Sequence, residues 1–240
     1  MGRKSRDTDR SARVEQLRRQ QASAERRRTQ LVIGAAVLVV VVLVGLVVYA
    51  INDARSAPGR TAAALAEVGV PAAQASCDPV ESAKAEGVNA HVGPGTNDPG
   101  KTRVDYSTAP PMFGEHYPQP AYPAAAFYTA ADRPAMETLV HNLEHGYTIV
   151  WYDESLPQQQ QDELRRISDL ARELDATGGK FIVTAWDPSY GDFPDGKPVA
   201  VSHWGTEDGH RQYCGAVSGA AIQSFVQDFP FTDSPEPNAQ

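Results

Sequence analysis

The stretch from Leu31 to Ile51, LVIGAAVLVVVVLVGLVVYAI, limits what this chain can fold into more than any other feature, because it carries no charged residue and shows no polar face. The helix of a soluble domain keeps one side polar to meet water, and this run has none to offer. At ~1.5 Å per residue, a helix of this length crosses the roughly 30 Å hydrocarbon core of a bilayer. In lipid the helix is also the form in which every backbone N–H and C=O finds an internal partner. A cleaved secretory signal would have an apolar run of about 7 to 15 residues and a small-residue junction behind it. Here Tyr49, Ile51, Asn52 and Asp53 make a poor junction, so the run predicts a retained transmembrane helix over 31–51.

Charge supplies the orientation. Residues 1–30 hold ten Lys and Arg against four acids, whereas the chain as a whole has a formal net charge of −8. The positive-inside bias holds such a flank in the cytoplasm and sends everything after the helix to the other side. A single-pass protein of the cell membrane is expected, its basic tail attracted to anionic lipid. The tail lacks the interleaved aromatic residues of a nucleic-acid arm, so no nucleic-acid partner is expected. The expected organisation is a basic cytoplasmic tail (1–30), the membrane helix (31–51), an Ala-, Gly- and Pro-rich stalk (52–75), an exported globular domain (76–231) and a disordered tail (232–240).

The chain has two cysteines, Cys77 and Cys214, one near each end of the exported part. In an oxidising compartment such a pair reads as one structural disulfide, and no C-x-x-C motif supports a redox pair. Between Cys77 and Asp132, Pro, Gly and Asn are too frequent for long regular elements, although Tyr106, Phe113, Tyr117, Tyr122, Phe127 and Tyr128 argue against plain disorder. Further on, Asp132-Arg-Pro reads as a helix start, with Met136, Leu139, Val140 and Leu143 as an apolar stripe ending at Gly146. The alternative, that 138–145 is already extended, stays open. YTIVWY (147–152), KFIVTAW (180–186) and PVAVSHW (198–204) read as strands. Residues 157–177 and 216–229 read as amphipathic helices. The fold class is α+β: one transmembrane helix, then an exported α/β sandwich whose element order is like that of thioredoxin-like folds.

Six histidines are present: His91, His116, His141, His145, His203 and His210. In HNLEHG, His141 and His145 are four apart and share a face in a helix or a strand alike. In a helix Glu137 joins them, one turn before His141. Two co-facial imidazoles bind a transition metal when further ligands arrive from elsewhere. The candidate site is His116, His141 and His145, with His91 as the weaker fourth ligand. Imidazole suits zinc or copper, and Met112 or Met136 nearby would lean the choice to copper. The bland reading is that His141 and His145 brace the loop by donating to backbone carbonyls. The string also matches H-x-x-E-H, in which Glu144 would be the general base of a metal-dependent hydrolase; Gly146 and the strand after it cut that element short. His203 and His210 are expected to be exposed and receive no role.

The anchor, the loop Pro110-Pro111-Met112-Phe113-Gly114-Glu115-His116-Tyr117-Pro118, the segment LVHNLEHGYTIVWY and the late Cys-Gly together resemble the bacterial family called domain of unknown function 3105, over roughly residues 75–230. The resemblance implies an exported or membrane-anchored protein, common in actinobacteria, with no established activity. It makes His116, His141, Glu144 and His145 look like the family's motif. The readings carried forward are a metal-binding module, a non-catalytic envelope protein whose loop packs on an undetermined partner, and a hydrolase using Glu144.

Overall fold

The computed structural model describes residues 33–50 and 59–240, and the chain divides into two compact units between Ser56 and Ala57. In the first, Ile33–Ala50 (α1) is a helix of mean hydropathy 2.9 with none of it buried. It is long and apolar enough to cross a membrane. The basic tail and the junction at 51–58 lie outside the described residues.

In the second unit, strands β1 (Glu81–Lys84), β2 (Phe127–Tyr128), β3 (Thr148–Tyr152), β4 (Phe181–Ala185), β5 (Val199–Trp204) and β6 (Asp208–Cys214) form one sheet in the order β1-β6-β5-β3-β4-β2. β2 and β3 both run parallel to β4, while β5, β6 and β1 continue as an antiparallel meander. The parallel joins require crossovers, supplied by α3 (Met136–Glu144) between β2 and β3 and α4 (Gln158–Ala171) between β3 and β4. A helix over 59–66 (α2) precedes the sheet and α5 (Gly219–Asp228) follows it.

The central strands are buried on both faces, which explains why their sequences are apolar throughout rather than alternating. Successive residues still divide by pleat. Val150, Tyr152, Val183, Val199 and Val201 point into a core shared with Leu164 and Ile167 of α4 and with Ile222, Phe225 and Val226 of α5. Ile149, Trp151, Ile182, Ala200 and Trp204 point the other way, against Met136, Leu139, Val140 and Leu143 of α3. The result is a mixed α+β domain with helices on both faces of its sheet.

Four expectations need correction. The segment taken as a stalk belongs in part to the domain: Leu65 and Val68 are core residues, and Val70 N–H donates to Val217 O at 2.9 Å. The apolar spacing of 61–68 was too short to stand out from an Ala-rich stretch. Asp132 does not cap α3. It accepts from Thr129 N and Oγ1, both at 2.6 Å, closing a turn of its own, and α3 begins at Met136 after an uncapped Ala135. Strand β6, DGHRQYC, was not foreseen, because its polar alternation gave no apolar run; Gly209, Arg211, Tyr213 and Cys214 are nevertheless buried. Finally, the tail after Thr232 is not disordered. Ser234 is buried, and Lys180 Nζ donates to Pro237 O at 2.8 Å and Ala239 O at 2.7 Å. Cys77 and Cys214 are bonded to each other.

Candidate metal centre

The HNLEHG element is helical, and its end is a Schellman motif: Tyr147 N–H donates to Asn142 O at 3.0 Å and Gly146 N–H to Leu143 O at 2.9 Å. Gly146 takes φ +89° there, and a Cβ would meet Phe231 O at 2.5 Å, so a residue without a side chain is required. One face of α3 is apolar and lies on the sheet. The other carries Glu137, His141, Asn142 and Glu144, and all four are buried as well.

A buried polar helix face is costly unless each group finds a partner. Here the partners come from the Pro- and Gly-rich loop and from Tyr190, which follows β4. Glu137 Oε1 accepts from Val104 N and Tyr190 Oη, both at 2.9 Å. Asn142 exchanges two hydrogen bonds with the backbone of Ala121, at 2.9 and 3.1 Å. Glu144 Oε1 accepts from Asn89 N at 2.6 Å. The loop has no long regular element because its backbone is satisfied by these side chains rather than by a ladder. Glu137 therefore serves the loop and stands apart from the histidines.

The loop brings two histidines to the helix. His91 and His116 form a parallel bridge, with Val92 N–H to His116 O at 2.8 Å and His116 N–H to Ala90 O at 3.1 Å. The rings of His91 and His116 then meet that of His141 at centroid distances of 5.1 and 4.7 Å. The rings of His141 and His145 are 4.4 Å apart and perpendicular.

The ring nitrogens divide their work. His116 Nδ1 lies 2.7 Å from Gly114 O, His141 Nδ1 2.5 Å from Tyr117 O, and His145 Nδ1 2.6 Å from Gln240 O. A carbonyl oxygen only accepts, so all three Nδ1 atoms carry the proton and, in the neutral rings, all three Nε2 atoms present lone pairs. Those lone pairs converge. His141 Nε2 and His145 Nε2 are 2.9 Å apart, and His116 Nε2 is 2.9 Å from Glu144 Oε2 with both side chains fully buried. The second distance is that of an ion pair, yet neither atom has a hydrogen-bond partner. His91 Nε2 is likewise buried and unpartnered.

Burial sets the charge state. It pushes His141 down to about 4, with the neighbouring histidines adding to the shift, and it lowers His91 as well. For Glu144 burial acts to raise the pKa, but His116 and the Asn89 N–H outweigh it and hold the carboxyl below its usual range. Burial thus favours the neutral form of His141 and His91 beside a carboxylate that its neighbours keep ionised.

Donor atoms of His91, His116, His141 and Glu144 lie within 4.8 Å of one another, and those of Glu144, His145 and Glu236 form a second such set. Either set can hold a metal ion. Donors of His91, His116 and His141 thus lie together with Glu144, and His145, 2.9 Å from His141, also lies with Glu144 and Glu236. Glu236 was missed because it sits in a Pro-rich tail whose sequence carries no pattern. His203 is not exposed: it is fully buried, with Nε2 donating to Asp233 O at 2.7 Å. His210 faces Ser82 Oγ at 2.8 Å and stacks on Phe229. An open cavity of about 350 Å³ lies at the far end of the sheet, where Asp153 and Trp186 follow β3 and β4, and none of its lining residues is a histidine.

The profile of the family described as Protein of unknown function (DUF3105) matches residues 99–240. The chain belongs to this family. The DUF3105 segment contains His116, His141, Glu144, His145 and Glu236 and runs through the tail, whereas His91 lies before it. No curated protein and no solved structure matches the chain.

Proposed function

We propose that this protein is a membrane-anchored module that holds a divalent transition metal, zinc or copper, on the outer side of the membrane. The observation that carries the reading is the pair of Nε2 lone pairs of His141 and His145 facing each other at 2.9 Å in a buried site. Two lone pairs repel unless a proton or a cation lies near them. Burial disfavours a proton on His141, and a metal cation shared by the two nitrogens is the occupant we take. The Nδ1–carbonyl bonds are the usual outer support of metal-bound histidines, fixing tautomer and ring direction. The bracing role and the ligand role thus fall to opposite nitrogens of the same rings.

His91, His116, His141 and Glu144 supply the ligands of this ion, and His145 Nε2, 2.9 Å from His141 Nε2, is within reach of it as well. Both cysteines are bonded to each other, so no thiolate is available among the described residues and borderline divalent ions are favoured over copper(I). Met136 packs in the apolar layer against the sheet, which removes one of the two thioether arguments for copper. Glu144, fully buried and held by Asn89, suits a ligand better than a general base. The scaffold is thioredoxin-like in element order, which carries no redox chemistry without paired thiols at its site. Outward placement rests on the apolar α1 and the basic flank before it.

The test is native mass spectrometry of the detergent-purified full chain after exposure to zinc or copper and desalting. Retained metal, lost in His116→Ala/His141→Ala, is expected. A wild-type chain that retains neither metal, or a double variant that retains as much as wild type, rules the reading out.

A further inference from the structure

We propose that the centre is dinuclear, with Glu144 bridging two adjacent metal ions and Glu236, on the tail, supplying the outer ligand of the second. This rests on the metal-centre reading above. The two donor sets share one member, Glu144. Its capacity suits that position: Oε2 is buried without a hydrogen-bond partner, while Oε1 gives one lone pair to Asn89 N–H and keeps another.

The sets also divide the helical pair. Ring nitrogens on one ion at about 2.1 Å are separated by no more than about 4.2 Å, so a single ion cannot gather every donor of both sets, although His141 and His145 come within 2.9 Å of each other across them. His141 completes the first set with the loop histidines. His145, the C-cap of α3, lies 3.4 Å from Glu236 Oε2 at Nε2. The two carboxylates offset part of the charge of two dications, and bridged pairs of this kind hold their ions about 3.5 to 4 Å apart.

The tail is built to deliver Glu236. Glu236 N–H donates to Glu144 O at 3.1 Å, and Lys180 Nζ ties His145 O to Pro237 O and Ala239 O at 2.7 to 2.8 Å. Glu236 is the rim ligand: its side chain is 35% exposed, against 9% for His145. The second position is therefore the one open to exchange with solvent.

Zinc stoichiometry of the detergent-purified full chain decides the matter. Two zinc ions per wild-type chain and one in Glu236→Gln or in His145→Ala are expected, with unchanged circular dichroism melts of the metal-free chains as the folding control. A wild-type chain that saturates at one zinc, or a Glu236→Gln chain that still takes two, overturns the dinuclear centre while leaving a mononuclear one standing. A wild-type chain that takes none removes the metal-centre reading itself, so the two failures are distinguishable.

Discussion

The histidines of this chain separate by what their nitrogens find. His203 sits under the tail with both nitrogens engaged, Nε2 on Asp233 O and Nδ1 3.3 Å from Thr148 Oγ1. Burial pushes it down to about 4. Because the folded value lies below that of the unfolded chain, near 6.5, the unfolded state binds more protons between them. The stability that His203 contributes is therefore present above pH ~6.5 and is lost as pH falls towards 4, by up to about 3 kcal/mol. Thermal melts of the metal-free chain from pH 7 to pH 4 are expected to show this decline together with that of His141 and His91, and His203→Gln should make it shallower without abolishing it. An equal slope in the variant would assign the decline to other groups.

At the scale of elements, the helix α3 ties the domain together because neither of its faces meets water. Its apolar stripe was legible from Met136, Leu139, Val140 and Leu143, and so was the shared face of His141 and His145. What the spacing did not reveal is that Glu137, Asn142 and Glu144 are buried too. Periodicity reports which residues share a face, and only packing reports what covers that face. The cover is the loop from Ala85 to Ala126 together with the tail, and both lack the repeats on which sequence patterns depend. Lys180 is the clasp of the tail, placed where the exposed carbonyls at the end of α3 favour a cation. Lys180→Met removes three donors while keeping the stem, so residues 232–240 are expected to be cut faster in limited proteolysis, with zinc restoring part of the protection in the variant. Equal cleavage rates in wild type and variant would show that the tail is held by other contacts.

For the whole molecule, the disulfide joins the start of the sheet region to the end of β6, across 137 residues of chain. A loop of that size confines the unfolded state by about 4 to 5 kcal/mol in the entropic account, and removing such a bridge costs about 2 to 5 kcal/mol in practice. Cys77→Ala/Cys214→Ala is expected to lower the melting temperature accordingly. On intact cells, a membrane-impermeant maleimide should label the wild-type chain only after an impermeant reductant is added. Labelling without reductant would mean an open pair, and no labelling after it would place the domain on the inner side.

The sequence by itself determined the apolar helix, the three long strands, the two amphipathic helices and the co-facial His141 and His145, because each is written in local composition or short-range periodicity. The tertiary structure decided the rest. The segment before Cys77 belongs to the core, β6 is a strand, His203 is buried, and Glu236 reaches His145 across 91 positions. Such contacts are closed by the burial of the whole domain, and no local pattern along the chain records them. The hydrophobic run at 31–51 marks the opposite limit: there the solvent is lipid, every residue faces it, and composition alone carries the information.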